Sequence, residues 1–214
     1  MRAADAVLRE LRAKGLLLQQ DKALPSVVGI VTGESLRGSW WSHPKGRLIF
    51  TVLSELADRP DVLFTKLLSG KVTLVHRRLW PALAAVGAAR EPWQLRGLSP
   101  AARRLLARVD RGGAGVRASG AAAKELEARL LVVARQVHTE SGRHETALQD
   151  WGEWSAAARC RPLRSAASAR RTLERAAARL GAPPEALPWN ARSSSSLSRS
   201  RGTRSPTRQQ QRDP

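Results

Sequence analysis

Cysteine occurs once in this chain of 214 residues, at Cys160. A single cysteine excludes an intramolecular disulfide framework and any zinc site built from several cysteines. No segment approaches the ~18–20 consecutive apolar residues that cross a bilayer. The amino-terminal sequence MRAADAVLRELRAKG lacks the apolar centre of a secretory signal. We therefore expect a reducing, cytoplasmic location and no membrane partner, with nucleoid association if the protein binds DNA.

Acidic residues are scarce, 18 against 37 Lys and Arg, and the formal net charge is +19. This excess favours a polyanionic partner such as nucleic acid. Tyrosine is absent and phenylalanine occurs twice, so the seven tryptophans carry nearly all of the aromatic content. The length and the 42% hydrophobic content suit a globular protein with one large domain or two small ones.

The segment Asp61–Trp80, DVLFTKLLSGKVTLVHRRLW, predicts a β-hairpin. Two runs of β-forming residues flank a Ser-Gly dipeptide at 69–70, which is a short-turn signal. We expect the pairing across this turn to set Thr65 opposite Leu74. One face of the hairpin would then be apolar, and the other would carry lysine and arginine.

Helical patterns surround this hairpin. Hydrophobic periodicity predicts one helix over residues 3–18, with Gly15 as a candidate end, and another over Lys45–Ala57. Ser26 and Ser99 are candidate N-caps for the segments that follow them. A helix followed by a basic hairpin is the outline of a winged helix-turn-helix module.

The second half of the chain repeats this order loosely. A strong helix pattern over Ala121–Leu131 precedes two extended runs around Glu140-Ser141-Gly142, and Trp151 follows. Helix, Ser-Gly hairpin and Trp therefore occur twice, with few identical residues. Both a duplicated module and a coincidence fit this pattern.

The predicted fold class is α+β with mainly α-helical structure. We expect a winged helix-turn-helix fold, in one module or in two tandem modules, with β-hairpins as the wings. Four segments follow from the composition: an amino-terminal module over residues 1–111, a Gly-rich junction over 112–120, a helix-hairpin-helix module over 121–190, and a disordered basic Ser/Arg-rich tail over 191–214.

Basic residues near the two helix–hairpin units are the candidate nucleic-acid contacts. In the winged-helix mode a helix enters the major groove and the hairpin grips the adjacent backbone. These candidates are Lys45, Arg47, Lys66, Lys71, Arg77, Arg78, Lys124 and Arg143. The alternative is that these charges only solvate ordinary sheet surfaces.

The adjacent Trp40 and Trp41 are candidates for stacking on an exposed base, since such stacking contributes ~1–3 kcal/mol per base. Packing at a helix start, with one ring buried and one half-buried, is the favoured interpretation.

Few residues in the chain suit catalysis. His138-Thr139-Glu140 matches half of the zinc deaminase motif, but the second half requires a cysteine pair that this chain lacks. His144 and Glu145 add further ligand types, although the spacing matches no known zinc motif. We expect no metal and no cofactor.

Cys160 lies between Arg159 and Arg161. Neighbouring cations can lower the pKa of a thiol and make it nucleophilic, which is one hypothesis for this position. The favoured interpretation is that a lone cysteine after a run of alanines is incidental.

The blocks GSWWSHPKGRLIF, DVLFTKLLSGKVTLVHRRLWPAL, GLSPAARRLLARVD and VHTESGRHE resemble uncharacterised bacterial winged-helix proteins that are distantly similar to AlkZ-like, winged-helix DNA glycosylases. The resemblance covers about Leu11 to Trp189. It implies tandem winged helices and excision of alkylated or crosslinked bases, with a Gln-x-Gln-type motif that positions water. Outside the tail, Gln19-Gln20-Asp21 is the one comparable segment, and its spacing differs.

These observations favour a DNA-binding winged-helix protein whose partner is double-stranded DNA. A glycosylase-like repair enzyme is one alternative, and it requires an acidic or amide side chain in a base-sized pocket beside the hairpin. A winged-helix module for protein–protein interaction is another alternative, and it predicts scattered basic residues.

Overall fold

The computed structural model describes residues 2–112, 115–138 and 144–191. Within these ranges, only the backbone is described for residues 136–138 and 144–145. Within these ranges the α-helices are α1 (Ala3–Lys14), α2 (Val27–Thr32), α3 (Gly46–Ala57), α4 (Trp80–Ala88), α5 (Pro92–Leu95), α6 (Pro100–Asp110), α7 (Ala121–Ala128), α8 (Trp151–Ala157) and α9 (Ala166–Leu180). The strands are β1 (Leu16–Leu18), β2 (Val62–Leu68), β3 (Lys71–His76), β4 (Val116–Arg117), β5 (Val133–His138) and β6 (His144–Gln149).

The strands form two antiparallel sheets of three strands each, with the orders β1-β3-β2 and β4-β6-β5. In each sheet the last two strands form a hairpin, and the strand that comes first in sequence pairs with the second strand of that hairpin. The predicted mixture of α and β structure is confirmed. Among the described residues, no helix is both long enough and apolar enough to span a bilayer.

The serine caps predicted from the sequence are confirmed. Ser26 Oγ accepts a hydrogen bond from the N–H of Gly29 at 3.0 Å, and Ser99 Oγ accepts one from the N–H of Ala102 at 3.1 Å. Each bond satisfies a backbone donor that the first turn of a helix leaves without a partner. Local side-chain chemistry therefore sets the start of α2 and of α6.

The helix predicted over residues 3–18 ends at Lys14, directly before the candidate end Gly15, and does not include Leu16–Leu18. Gly15 adopts a left-handed conformation with φ of 86°, and its N–H donates to the carbonyl of Leu11. Leu16–Leu18 then forms β1 along β3, and all three leucines are buried. A short apolar run fits a buried strand as well as a helix, and the pairing with β3 selects the strand.

The first hairpin has the short turn that was predicted. Ser69 and Gly70 have φ values of 51° and 67°, and two successive left-handed residues are the signature of a type I′ turn. The predicted register is wrong beyond this turn, because the pairing shifts between Lys66 and Leu68. Thr65 therefore pairs with Thr73 and not with Leu74.

A β-bulge explains the shift in register. Leu67 is the extra residue in β2, and its side chain is buried. Thr73 Oγ1 accepts a hydrogen bond from the N–H of Leu68 at 3.2 Å, so a side chain provides a partner for that backbone donor beside the bulge.

The second sheet includes part of the segment predicted as a Gly-rich junction. Val116 of β4 pairs with Leu148 of β6, so residues 112–120 contain a strand as well as turns. The two extended runs predicted around residue 141 are confirmed as β5 and β6. The turn predicted at Glu140-Ser141-Gly142 lies outside the described residues, as does the basic tail from residue 192 onward.

The largest hydrophobic cluster joins the two ends of the chain. It packs Val7 and Leu11 of α1 with Leu83 of α4 and Leu173 of α9. A smaller cluster lies between α6, α7 and the second sheet, where Leu126 and other apolar residues are buried.

Tryptophans extend the large cluster towards the second half of the chain. Trp154 packs edge-on against Trp80 and Trp151, with ring centroids 5.2 and 5.5 Å away. Trp151 Nε1 donates to the carbonyl of Leu130 at 2.7 Å, and the indole ring lies directly against Gly87. These contacts hold α8 on α4.

Trp189 docks back on the core. Its Nε1 donates to Glu174 Oε1 at 2.8 Å.

Candidate nucleic-acid interface

A cleft of about 1210 Å³ lies between the two sheets. Its lining comes from the loop after α3, from β2, from α7, from β5 and from the end of α8. These segments are distant in sequence, so the folded chain alone brings them together.

Cationic side chains outnumber carboxylates in this cleft. Among the described residues that line it, the cations are Arg59, Lys66, Arg77, Lys124, Arg135 and Arg159, and the carboxylates are Asp58 and Glu127. Two of the cations pair with carboxylates in the folded chain. The other four, Arg77, Lys124, Arg135 and Arg159, form no ion pair with any described residue.

One ion pair joins the two halves of the chain across the cleft. Lys66 Nζ of β2 lies 2.8 Å from Glu127 Oε2 of α7, and the two side chains are only 26% and 17% exposed. Partial burial strengthens the attraction because water screens the pair less. Glu127 therefore neutralises the cation that β2 presents to the cleft.

Arg59 belongs to a second ion-pair network at the edge of the cleft. Its Nε and NH2 donate to the two carboxylate oxygens of Asp61 at 2.8 and 3.1 Å, and Arg12 lies 3.4 Å from the same carboxylate. The hydrogen bonds from Arg59 hold the pKa of Asp61 below its usual value, against the opposing effect of burial. This bidentate geometry fixes the position of the guanidinium group.

Three of the predicted contacts, Lys66, Arg77 and Lys124, line the cleft. Two others stabilise the ends of helices. Lys45 Nζ donates to the carbonyl of Thr32 at 3.0 Å, and Arg78 NH2 donates to the carbonyl of Ala13 at 2.9 Å. Both cations lie at the negative end of a helix dipole, so each has a structural role.

Lys71 also has a partner within the fold. Its Nζ lies 2.5 Å from Asp21 Oδ2, and the side chain of Asp21 is almost completely buried. Burial acts to raise the pKa of Asp21, but hydrogen bonds from Lys71 and from two backbone N–H groups outweigh it and lower the pKa. This pair attaches the tip of the first hairpin to the loop after β1.

Arg47 lies on the exposed side of α3, outside the cleft, and forms no ion pair with any described residue. Trp40 and Trp41 precede α3 in a 3-10 turn and stack with a centroid distance of 4.0 Å. Trp40 is buried at 7% exposure, whereas Trp41 is 65% exposed. The expectation of one buried ring is confirmed for Trp40, whereas Trp41 is largely exposed and not half-buried as expected.

Sequence reasoning missed three cations of the cleft. Arg59 follows a predicted helix, Arg135 lies in the first of the two extended runs predicted around residue 141, and Arg159 was considered only as a neighbour of Cys160. No local signal identifies them, because their common feature is a cleft formed by distant segments.

Basic residues also occur away from the cleft. Arg104 and Arg108 are exposed on α6, and Arg171 and Arg175 are exposed on α9. Most lysines and arginines of the described residues therefore lie outside the cleft.

Gln19 lines the cleft beside the first hairpin. Its backbone N–H donates to the carbonyl of Val72 at 2.9 Å, which places it directly after β1 and against β3. An amide side chain next to the hairpin is one of the two features that the glycosylase alternative requires, and the other is a base-sized pocket.

The hypothesis of an activated cysteine is wrong. Burial raises the pKa of the Cys160 thiol, although the charge of Arg77 opposes this effect. The thiol is therefore mostly protonated at neutral pH.

Arg143 and Glu140 lie outside the described residues. For His138, His144 and Glu145 the structure describes only the backbone. Within the described part of the chain, no group of three or more His, Cys, Asp or Glu residues is arranged to hold a metal ion.

Comparison with protein-family models, with curated proteins and with solved structures finds no match to this chain.

Proposed function

We propose that the protein binds double-stranded DNA in the cleft between its two sheets. The observation that carries this proposal is the excess of cations over carboxylates among the described cleft residues. Neutralising phosphates with such cations releases condensed counterions, and this release drives most sequence-independent affinity.

The order of elements supports a winged-helix interpretation of each half. In the first half, α1, β1, α2 and α3 precede the β2–β3 hairpin, and β1 completes the sheet beside β3. The second half has α6, β4, α7 and the β5–β6 hairpin, with the same strand order. On this interpretation the duplicated modules face each other, and their wings form the walls of the cleft.

The four cleft cations without ion pairs set the expected salt dependence. If each neutralises one phosphate, the logarithm of the binding constant should fall with the logarithm of salt concentration with a slope of about −3.6. Raising the salt from about 50 to 200 mM should then weaken binding by about 150-fold.

Fluorescence anisotropy with a labelled duplex at these two salt concentrations tests the proposal. A variant that combines Lys124→Ala, Arg135→Ala and Arg159→Ala should reduce both the affinity and the slope. A matched control that combines Arg104→Ala, Arg108→Ala and Arg171→Ala removes the same charge from surfaces outside the cleft, and we expect it to bind more tightly than the cleft variant.

Equal losses in both triple variants would show that the cleft has no special role. The same titration with a protein that ends at residue 191 assigns the contribution of the tail. Complete loss of binding on this truncation would place the interaction in the tail and refute the proposal.

A second candidate function is excision of a damaged base, and the position of Gln19 in the cleft favours it. Incubation with a duplex that contains alkylated purines, scored for abasic sites, tests this activity. Gln19→Ala should abolish the abasic sites and leave the fold intact, because the backbone of Gln19 makes its contacts within the sheet. Absence of abasic sites with the unsubstituted protein would reject this candidate.

A further inference from the structure

We infer that Trp41 and Phe50 form a stacking site for an unpaired nucleobase at the amino-terminal end of α3. The inference rests on the proposed function, since it adds a second contact to the same nucleic acid. It differs from the cleft in location and in chemistry, because it recognises the face of a base and not the phosphate backbone.

The two rings form an exposed aromatic surface. Trp41 is 65% exposed and Phe50 is 50% exposed, and their ring centroids are 5.7 Å apart. The other tryptophans of the chain, all of which lie within the described residues, are buried or half-buried. Contiguous exposed apolar surface commonly marks a binding site.

Contacts within the fold position the platform before any ligand binds. One face of the Trp41 ring stacks on Trp40 with an interplanar angle of 23°. The N–H of Trp41 donates to Ser39 Oγ at 3.3 Å, and Gly46 allows the carbonyl of Trp41 to approach the start of α3. Preorganisation of this kind lowers the entropy lost on binding, and the 65% exposure of Trp41 leaves ring surface available to a base.

The charge around the platform favours nucleic acid over an apolar protein surface. Arg47, Phe50, Thr51 and Ser54 are all exposed and share one face of α3, since they are three or four residues apart. These four residues include a cation and two hydroxyl groups, and the carboxylates Glu55 and Asp58 lie nearer the other end of the helix. Arg47 is therefore placed to contact the phosphate of a nucleotide whose base stacks on Trp41.

The platform and the cleft lie at opposite ends of the same helix. Ala57, the last residue of α3, lines the cleft. At 1.5 Å per residue, Gly46 at the start of α3 is about 16 Å away, or about five nucleotide steps of 3.4 Å. Within a duplex both faces of a base are covered by the neighbouring base pairs, so a base must leave the stack to contact Trp41. Single-stranded or locally unpaired DNA is therefore the expected ligand.

The test compares the full chain with its Trp41→Ala and Phe50→Ala variants in anisotropy titrations. The probes are a matched duplex, the same duplex with an unpaired thymidine bulge, and an oligothymidylate of about 16 nucleotides. We expect each variant to lose at least about fivefold in affinity for the bulged duplex and the oligothymidylate, from the lower limit of base stacking. Affinity for the matched duplex should not change. Leu163→Ala removes an exposed apolar side chain elsewhere and serves as the control.

Fluorescence provides a readout that a purely structural role would not change. Trp41 is the most exposed of the tryptophans, so oligothymidylate should quench the emission of the unsubstituted protein, and Trp41→Phe should remove that quenching.

Three results would overturn the inference. The first is equal loss of affinity for matched duplex and single strand in Trp41→Ala. The second is self-association of the unsubstituted protein that Trp41→Ala abolishes, since the occupant would then be a second copy. The third is tight binding of the matched duplex, combined with no binding of the oligothymidylate and no preference for the bulged duplex. This result refutes the stacking site and leaves the proposed function intact.

Discussion

The ion pair between Lys66 and Glu127 suggests a substitution that should strengthen binding. Among the described residues, Glu127 has the only carboxylate within 4 Å of Lys66 Nζ. Glu127→Gln removes that negative charge and leaves the lysine available to a phosphate. We expect Glu127→Gln to bind duplex DNA more tightly than the unsubstituted protein. A gain of affinity is an unusual outcome for a charge substitution, which makes the test demanding.

The size of the gain follows from the geometry. A phosphate bound to Lys66 would lie roughly 6 Å from the Glu127 carboxylate, because the ammonium group lies 2.8 Å from it. Coulomb repulsion at that distance amounts to about 0.7–2.8 kcal/mol for effective dielectric constants of roughly 80 to 20. Removing it should tighten binding at least about threefold. One additional phosphate contact should also steepen the salt slope by about 0.9.

The same substitution should cost some stability. The pair is mostly buried, and glutamine can still accept a hydrogen bond from Lys66, so we expect a loss of about 0.5–1.5 kcal/mol in the free energy of unfolding. Urea denaturation measures this loss and verifies that the variant is folded under the conditions of the binding assay.

Anisotropy titrations with a matched duplex at two salt concentrations measure the affinity. Glu55→Gln is the matched control, because it breaks the exposed Arg2–Glu55 pair outside the cleft and changes the net charge equally. If folded Glu127→Gln binds no more tightly than Glu55→Gln, then Lys66 does not contact the nucleic acid and the reasoning fails.

Other predictions concern the fold and its ionisable groups. Gly87→Ala should reduce the free energy of unfolding in urea by about 1–3 kcal/mol, because the added Cβ would overlap the indole of Trp151. Asp21 has a lowered pKa in the fold, so its pairing with Lys71 stabilises the protein above the usual carboxyl pKa of 3.8, and this contribution should disappear as the pH falls further. Asp21→Asn should therefore lower stability at pH 7 and narrow the difference in stability between pH 7 and pH 3. Cys160 should react with iodoacetamide at pH 7 no faster than a free thiol, as measured by mass spectrometry, since burial raises its pKa.

Features set by neighbouring residues could be predicted from the sequence. Ser26 and Ser99 cap helices as expected, because a cap depends on a serine and on the N–H groups two or three residues later. The Ser69-Gly70 turn is predictable for the same reason, since glycine tolerates the left-handed conformation that a type I′ turn needs.

Features that depend on distant partners could not be predicted. Leu16–Leu18 fits a helix or a strand until β3 lies beside it. Nothing in the sequence of β2 signals the bulge that shifts its register. The cleft brings Arg59 and Arg159 to one surface although a hundred residues separate them. Lys45 and Arg78, in contrast, are good candidates by charge alone, yet each contacts a helix carbonyl within the fold.

The large hydrophobic cluster has a consequence for how this protein must be made. Val7 and Leu11 near the start of the chain share that cluster with Leu173 near its end, and the N–H of Ser69 donates to the carbonyl of Ala186 at 2.6 Å. During synthesis on the ribosome, the first helices therefore emerge long before their packing partner α9. Contacts of such high sequence separation form slowly, and the apolar faces that await them are exposed in the meantime. A nascent chain interrupted before α9 should consequently be a substrate for chaperones and proteases.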